Sequence, residues 1–230
     1  MTPSEVYDIL RTCGATELHH ANTVTTSCTF LEQGALVSRG FAELHCLSQT
    51  PQGSDDIDKK YGIWNSIFLD HVDIHYRAGR KKGPNQYGPV LFVLDLDVLL
   101  HLPAGTNVRV TRMNHVHWSN KQEDNERWFQ SNDEIRANLN FGDFDKMLVI
   151  DSPNDKVEFP DTRARISLDN PNRKMSDGED AYSHAEQRLK VAAQNGGIIA
   201  DIAPHRCRDG CVCIAKYARY QAGSFDSIFL

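Results

Sequence analysis

The chain has 230 residues, 40% of them hydrophobic and 24% charged, which is enough apolar side chain for a core without disulfide or metal support and excludes a disordered chain. A formal charge of −6 argues against a protein that holds nucleic acid by bulk electrostatics, while leaving room for a local basic patch. No apolar run approaches bilayer length, and the opening MTPSEVYDILRTC lacks the basic-then-apolar order of a signal peptide, so a cytoplasmic protein with reduced thiols and no membrane partner is expected.

In chain order, residues 2–12 read as a short helix opened by Thr2-Pro3-Ser4-Glu5, with Val6, Ile9 and Leu10 on one face. Residues 18–21 read as a short strand on which His19 and His20 point to opposite faces, so only one of them looks into a given cleft. Asn22 and Thr23 can cap a helix whose apolar positions Val24, Cys28 and Leu31 recur until Gly34 ends it, and Leu36-Val37 and Ser38-Arg39 follow. The polar stretch 48–60 reads as a loop, residues 61–76 resume order, and 77–87 (RAGRKKGPNQY) is too rich in Gly, Pro and cations for helix or central strand. Residues 89–96 form the clearest core strand. Residues 107–112 form another, with Val108 and Val110 on one face and Arg109 and Thr111 on the other. Residues 121–127 are charged and exposed, 145–151 is a further strand, and 157–166 adds one that Pro160 confines to an edge. Residues 179–194 are an amphipathic helix stopped by Gly196-Gly197. Strands in the middle with helices flanking them predict an α+β fold, a single domain over 1–230 whose residues 171–230 form a helical, Cys-rich C-terminal extension.

Several groups of residues carry chemistry in more than one way. His20, Arg39 and Tyr61 are each compatible with a binding cleft and with ordinary packing. Glu134, in WFQSNDEI, is either a carboxylate projected from a strand start or an acid in the first turn of a helix capped by Ser131 or Asn132. His205, Cys207, Cys211 and Cys213 suit a structural zinc ion with four protein ligands, although Cys-x-Cys is a less usual chelate than Cys-x-x-Cys and buried free thiols remain the alternative. Arg77, Arg80, Lys81 and Lys82 share one loop without an acid, which suits phosphates as well as plain solvation. His115 and His117 read as alternating on one strand face with no partner carboxylate or nucleophile, the weak outline of a nuclease.

Taken together, a strand bearing His, a helix ending in Gly with Ser-Arg beyond it, a Tyr-Gly segment, an apolar strand and then Glu resemble the ADP-ribosyltransferase fold. Residues 18–40, LHHANTVTTSCTFLEQGALVSRG, are similar to the opening of DarT-like enzymes, bacterial toxins that use NAD to ADP-ribosylate nucleic acid, a group extending to mRNA-modifying toxins of phage-defence systems. The resemblance spans about residues 18–150 and implies a central antiparallel, split sheet flanked by helices. It implies NAD+ as co-substrate, a nucleobase of single-stranded RNA or DNA as acceptor, and an antitoxin as partner. By the same resemblance His20, Asn22, Ser38, Arg39 and Tyr61 hold NAD: His20 at the adenosine ribose, Arg39 at the pyrophosphate and Tyr61 against nicotinamide. Glu134 then faces the oxocarbenium-like ribose cation, and Arg77, Arg80, Lys81 and Lys82 meet the nucleic acid. No GxGxxG fingerprint occurs, so NAD would not bind through a Rossmann turn. A protein-modifying transferase, an NAD glycohydrolase and a non-catalytic zinc-containing nucleic-acid-binding module are the alternatives.

Overall fold

A computed structural model describes residues 1–74, 87–140, 146–205 and 213–230. The chain begins with a reciprocal cap. Thr2 accepts from the Glu5 amide and the Glu5 carboxylate receives the Thr2 amide, which starts helix α1 (Pro3–Thr12) with Val6, Ile9 and Leu10 buried. Strand β1 (Glu17–Asn22) leads into α2 (Val24–Gln33), which Gly34 ends in the left-handed region at φ 66°, where a Cβ would be strained. Strand β2 (Ala35–Val37) is followed by α3 (Arg39–Leu44), capped by Ser38, whose hydroxyl accepts from the Phe41 amide at 3.0 Å.

The stretch 48–60 is not all loop, because it closes with helix α4 (Asp55–Lys60). Its acids Asp55, Asp56 and Asp58 lie in the first turn and Lys59 and Lys60 in the last, each sign facing the helix-dipole end that favours it. Buried hydroxyls of α2 fix the approach to α4. Thr23 donates to the Thr50 hydroxyl at 2.8 Å, and Thr26 accepts from the Thr50 amide at 2.9 Å. Tertiary hydrogen bonds therefore order a segment that has almost no apolar pattern of its own.

Next come β3 (Ile67–Leu69), β4 (Val90–Asp95), a 3-10 turn (Leu96–His101), β5 (Asn107–Val110) and a second 3-10 turn (His115–His117). His115 and His117 thus sit on a turn and not on a strand face. Helices α5 (Asp124–Arg127) and α6 (Asn132–Asn138) precede β6 (Leu148–Asp151), β7 (Lys156–Glu158) and β8 (Arg163–Leu168). Pro160 lies in a 3-10 turn between β7 and β8, so the stretch 157–166 is two strands, and β8 escapes the edge because the proline is outside it. Helix α7 (Ala181–Asn195), strand β9 (Ile199–Pro204) and helices α8 (Cys213–Tyr217) and α9 (Ala222–Phe229) complete the order.

The fold is α+β, with a split sheet flanked by helices. One sheet has the order β1-β4-β8-β9, antiparallel except for the parallel β8–β9 pair; a second, β3-β6-β5, is antiparallel; β2 and β7 form a separate pair. The two larger sheets touch where His19 and Asp70 exchange backbone hydrogen bonds of 2.7 and 2.9 Å. Strand β4 is sealed on both sides, as its run of Val, Leu and Phe requires. The core continues from Leu18 and Phe92 through Ile166 to Leu31 of α2 and Leu189 of α7, all nearly inaccessible. Full burial of one such side chain stabilises by about 1.5–3 kcal/mol. Just before β4, Gly88 runs at φ 122° so close to β1 that a Cβ there would lie 2.3 Å from the Asn22 carbonyl oxygen, so only glycine fits this approach.

Candidate functional site

Where the two sheets separate, a cleft of about 790 Å3, counted to its open mouth, lies between the end of β1, the starts of α2 and α3, helix α4 and strand β3. Its walls include His20, Asn22, Ser38, Arg39, Asp58, Phe68 and His115. Four of the five residues expected at NAD therefore share one cleft. They converge because β1 ends at the cleft and α3 begins there.

His20 donates from Nδ1 to the Phe68 carbonyl at 2.7 Å, since a carbonyl can only accept, which leaves Nε2 to receive the Asn22 amide at 3.3 Å. Its ring meets Phe30 edge-on with centroids 5.4 Å apart. Burial lowers its pKa, the positive charge of Arg39 acts in the same direction, and the Phe68 carbonyl opposes them. The ring is therefore neutral at pH 7, with a fixed tautomer. Asn22 uses its side-chain oxygen on the Thr23 amide at 2.9 Å and the Gln52 side chain at 3.3 Å. His19, on the opposite strand face, is absent from the cleft walls and lies 3.9 Å from Glu17.

Arg39, the first residue of α3, reaches Asp55 with Nε 2.8 Å from Oδ1 and Nη2 donating to Oδ2 at 2.8 Å, and donates also to the Thr50 carbonyl at 3.0 Å. Its Nη1 is buried without a hydrogen-bond partner among the described residues. An unpartnered guanidinium nitrogen at a cleft wall is a donor for an anion. Asp55 and Asp58 are three residues apart on one helix, hence on one face; Asp58 lines the cleft and Asp55 holds Arg39. Asp58 stands 3.0 Å from His115 Nε2, with both side chains about 95% buried.

Tyr61 and Glu134 are not among the cleft walls. Tyr61 packs edge-on against Trp118 at 5.4 Å, with the Arg127 guanidinium 4.7 Å from its ring centroid. Glu134 lies in the first turn of α6, where its amide is capped by the Ser131 hydroxyl and its carboxylate accepts from Arg112 at 2.6 Å and from the Gln130 amide at 2.8 Å. This is the helix-start geometry of an acid at the positive end of the dipole. Arg77, Arg80, Lys81 and Lys82 lie outside the described residues. So do Cys207 and Cys211, while Cys213 opens α8 and His205 has its Nε2 2.8 Å from the Asp73 carboxylate. Among the described residues no group of three His, Cys, Asp or Glu side chains is placed to hold a metal ion.

Asp58, a cleft wall, and Asp55 beside it on α4 are residues that motif reading does not pick out. A signal for the acids exists in DDIDKK, whose charge order suits a helix and whose Asp55 and Asp58 share a face.

No family model matches the chain, and no curated protein does. Among solved structures the chain is similar to Thermus sp. 2.9 DarT in complex with ADP-ribosylated ssDNA, at 11% sequence identity and a TM-score of 0.48, over 84% of this chain and 95% of that one.

Proposed function

We propose that this protein is an NAD-dependent ADP-ribosyltransferase whose acceptor is a nucleobase in single-stranded nucleic acid. The observation that carries the reading is the buried Arg39 with its unused Nη1, set beside the neutral His20 and Asn22 in one cleft. The remaining Arg39 nitrogen, fixed in place by the Asp55 pair, suits a pyrophosphate oxygen. A neutral histidine and an amide supply the donors and acceptors that ribose hydroxyls use.

Transfer requires stabilisation of an oxocarbenium-like ribose as nicotinamide leaves, and carboxylates on the cleft wall serve that charge. Asp58 and Asp70 are both there. The net charge of −6 disfavours broad duplex contacts, and a base edge in a duplex is reached only after unpairing, so a single strand is the favoured acceptor. An enzyme of this kind modifies the nucleic acid of its own cell, which makes it a toxin in need of a restraining partner.

Incubation with NAD labelled in its ADP-ribose part and separate pools of single-stranded RNA, single-stranded DNA and protein tests the reading. Label is expected on nucleic acid. Label found on protein alone, or only as free ADP-ribose, would replace this reading by a protein-modifying transferase or an NAD glycohydrolase.

A further inference from the structure

Opposite His20 across Phe68, the cleft contains a second histidine with a carboxylate behind it. Phe68 links the two sides, since its carbonyl receives His20 Nδ1 at 2.7 Å and its ring stacks on the His115 imidazole with centroids 4.9 Å apart and planes at 30°. His115 is 4% exposed and Asp58 3%. The Asp58 Oδ1 lies 3.0 Å from Nε2 of His115 as an ion-pair contact, and neither ring nitrogen makes a hydrogen bond among the described residues. A buried imidazole at a cleft wall with a carboxylate against one nitrogen has the arrangement of a base backed by an acid. Its remaining neighbours are uncharged: the Phe68 ring from β3, and Trp118 edge-on at 6.2 Å. Arg127 stands beyond Trp118, 6.0 Å from that ring's centroid, and Asn114, before the turn, receives no charge from its contact with Tyr87. Asp58, on α4, is thus the charged group against the imidazole among the described residues.

We propose that His115, held by Asp58, is the proton acceptor of the transfer reaction. The proposal rests on the ADP-ribosyltransferase reading and adds the residue that completes its proton balance. As the acceptor nitrogen gives its electron pair to the anomeric carbon of the ribose, the bond from that carbon to nicotinamide breaks and its electron pair leaves with neutral nicotinamide. The acceptor nitrogen must then lose its proton, which His115 Nδ1 takes. Asp58 stabilises the resulting imidazolium, as a carboxylate behind a histidine does elsewhere. Glu134, committed to Arg112 and the Gln130 amide, takes no part in this step.

Transfer from labelled NAD to a single-stranded oligonucleotide, followed from about pH 5 to 9, tests it, with NAD binding measured by calorimetry on each variant. His115→Gln is expected to lose roughly a hundredfold in transfer while NAD affinity stays within about threefold. Asp58→Asn is expected to lower transfer at least about tenfold while NAD affinity stays within about threefold. Exposed His117 is the control, and His117→Gln is expected to leave transfer unchanged. If His115→Gln does not fold, the Asp58→Asn rate decides. Transfer by His115→Gln or by Asp58→Asn within about threefold of wild type would overturn the proposal while the transferase reading stands. Wild-type protein that moves no label from NAD would overturn both.

Discussion

At the scale of single residues, the cleft depends on how Arg39 divides its donors between Asp55 and the space it faces. Two of its nitrogens are committed to Asp55 and one edge is unused, so its position is fixed before any ligand arrives. Preorganisation of this kind lowers the ordering cost of binding. Arg39→Lys keeps the charge but loses the fork, and is expected to weaken NAD binding at least about tenfold, with Arg39→Ala weaker still. Calorimetric titration reads both, and unchanged affinity in Arg39→Lys would remove the pyrophosphate role. His20 gives a pH-dependent counterpart. Burial depresses its folded-state pKa, as it does that of His19, so below the usual imidazole value of about 6.5 the unfolded chain takes up protons first. Stability from these sites is therefore fully present above that pH and declines as pH falls through it toward the depressed folded values. The melting temperature of wild type is expected to drop over that interval, and that of His20→Gln to drop less. A flat profile in wild type would contradict a neutral, buried His20.

Elements differ in how far their own residues dictate them. Strand β4 and helix α2 were legible because burial on both sides demands an unbroken apolar run, and because Gly34 supplies a left-handed stop. Strand alternation admits only one of His19 and His20 to a given cleft, the resemblance selects His20, and His20 lines one. Helix α4 was not legible, since DDIDKK carries one apolar residue and its ordering comes from Thr50 hydrogen bonds to α2. The carboxylates of the cleft went unseen with it. His115 was hidden differently, because two alternating histidines resemble a strand, and the turn that brings His115 to Asp58 is a tertiary event. Glu134 had two readings from the residues, and the Ser131 cap places it on a helix. Its carboxylate is about 40% exposed, so the Arg112 pair is worth at most about 1 kcal/mol. Glu134→Gln is accordingly expected to lower the melting temperature by roughly 2–4 °C and to keep transfer within a few-fold. A hundredfold loss of transfer with normal folding would bring Glu134 back to the reacting centre.

At the scale of the whole molecule, the two larger sheets exchange backbone hydrogen bonds at His19 and Asp70 and open into the cleft beyond, so the site is a consequence of the split. An acidic chain that works on nucleic acid must concentrate its cations. The stretch bearing Arg77, Arg80, Lys81 and Lys82 is such a concentration in the sequence. Neutralising all four is expected to abolish modification of the oligonucleotide and leave NAD affinity unchanged, and wild-type binding to nucleic acid is expected to weaken steeply with salt. Oligonucleotide modification that survives the fourfold change would separate this stretch from the acceptor.

The most direct measurement of the central claim is the intact mass of a single-stranded oligonucleotide after incubation with NAD and either wild-type protein or Arg39→Ala. Wild type is expected to add the mass of one ADP-ribose to the oligonucleotide and release one nicotinamide per adduct, while Arg39→Ala, folded by its melting curve, adds almost none. An oligonucleotide of unchanged mass with wild-type protein, or equal adduct from both proteins, would contradict the account.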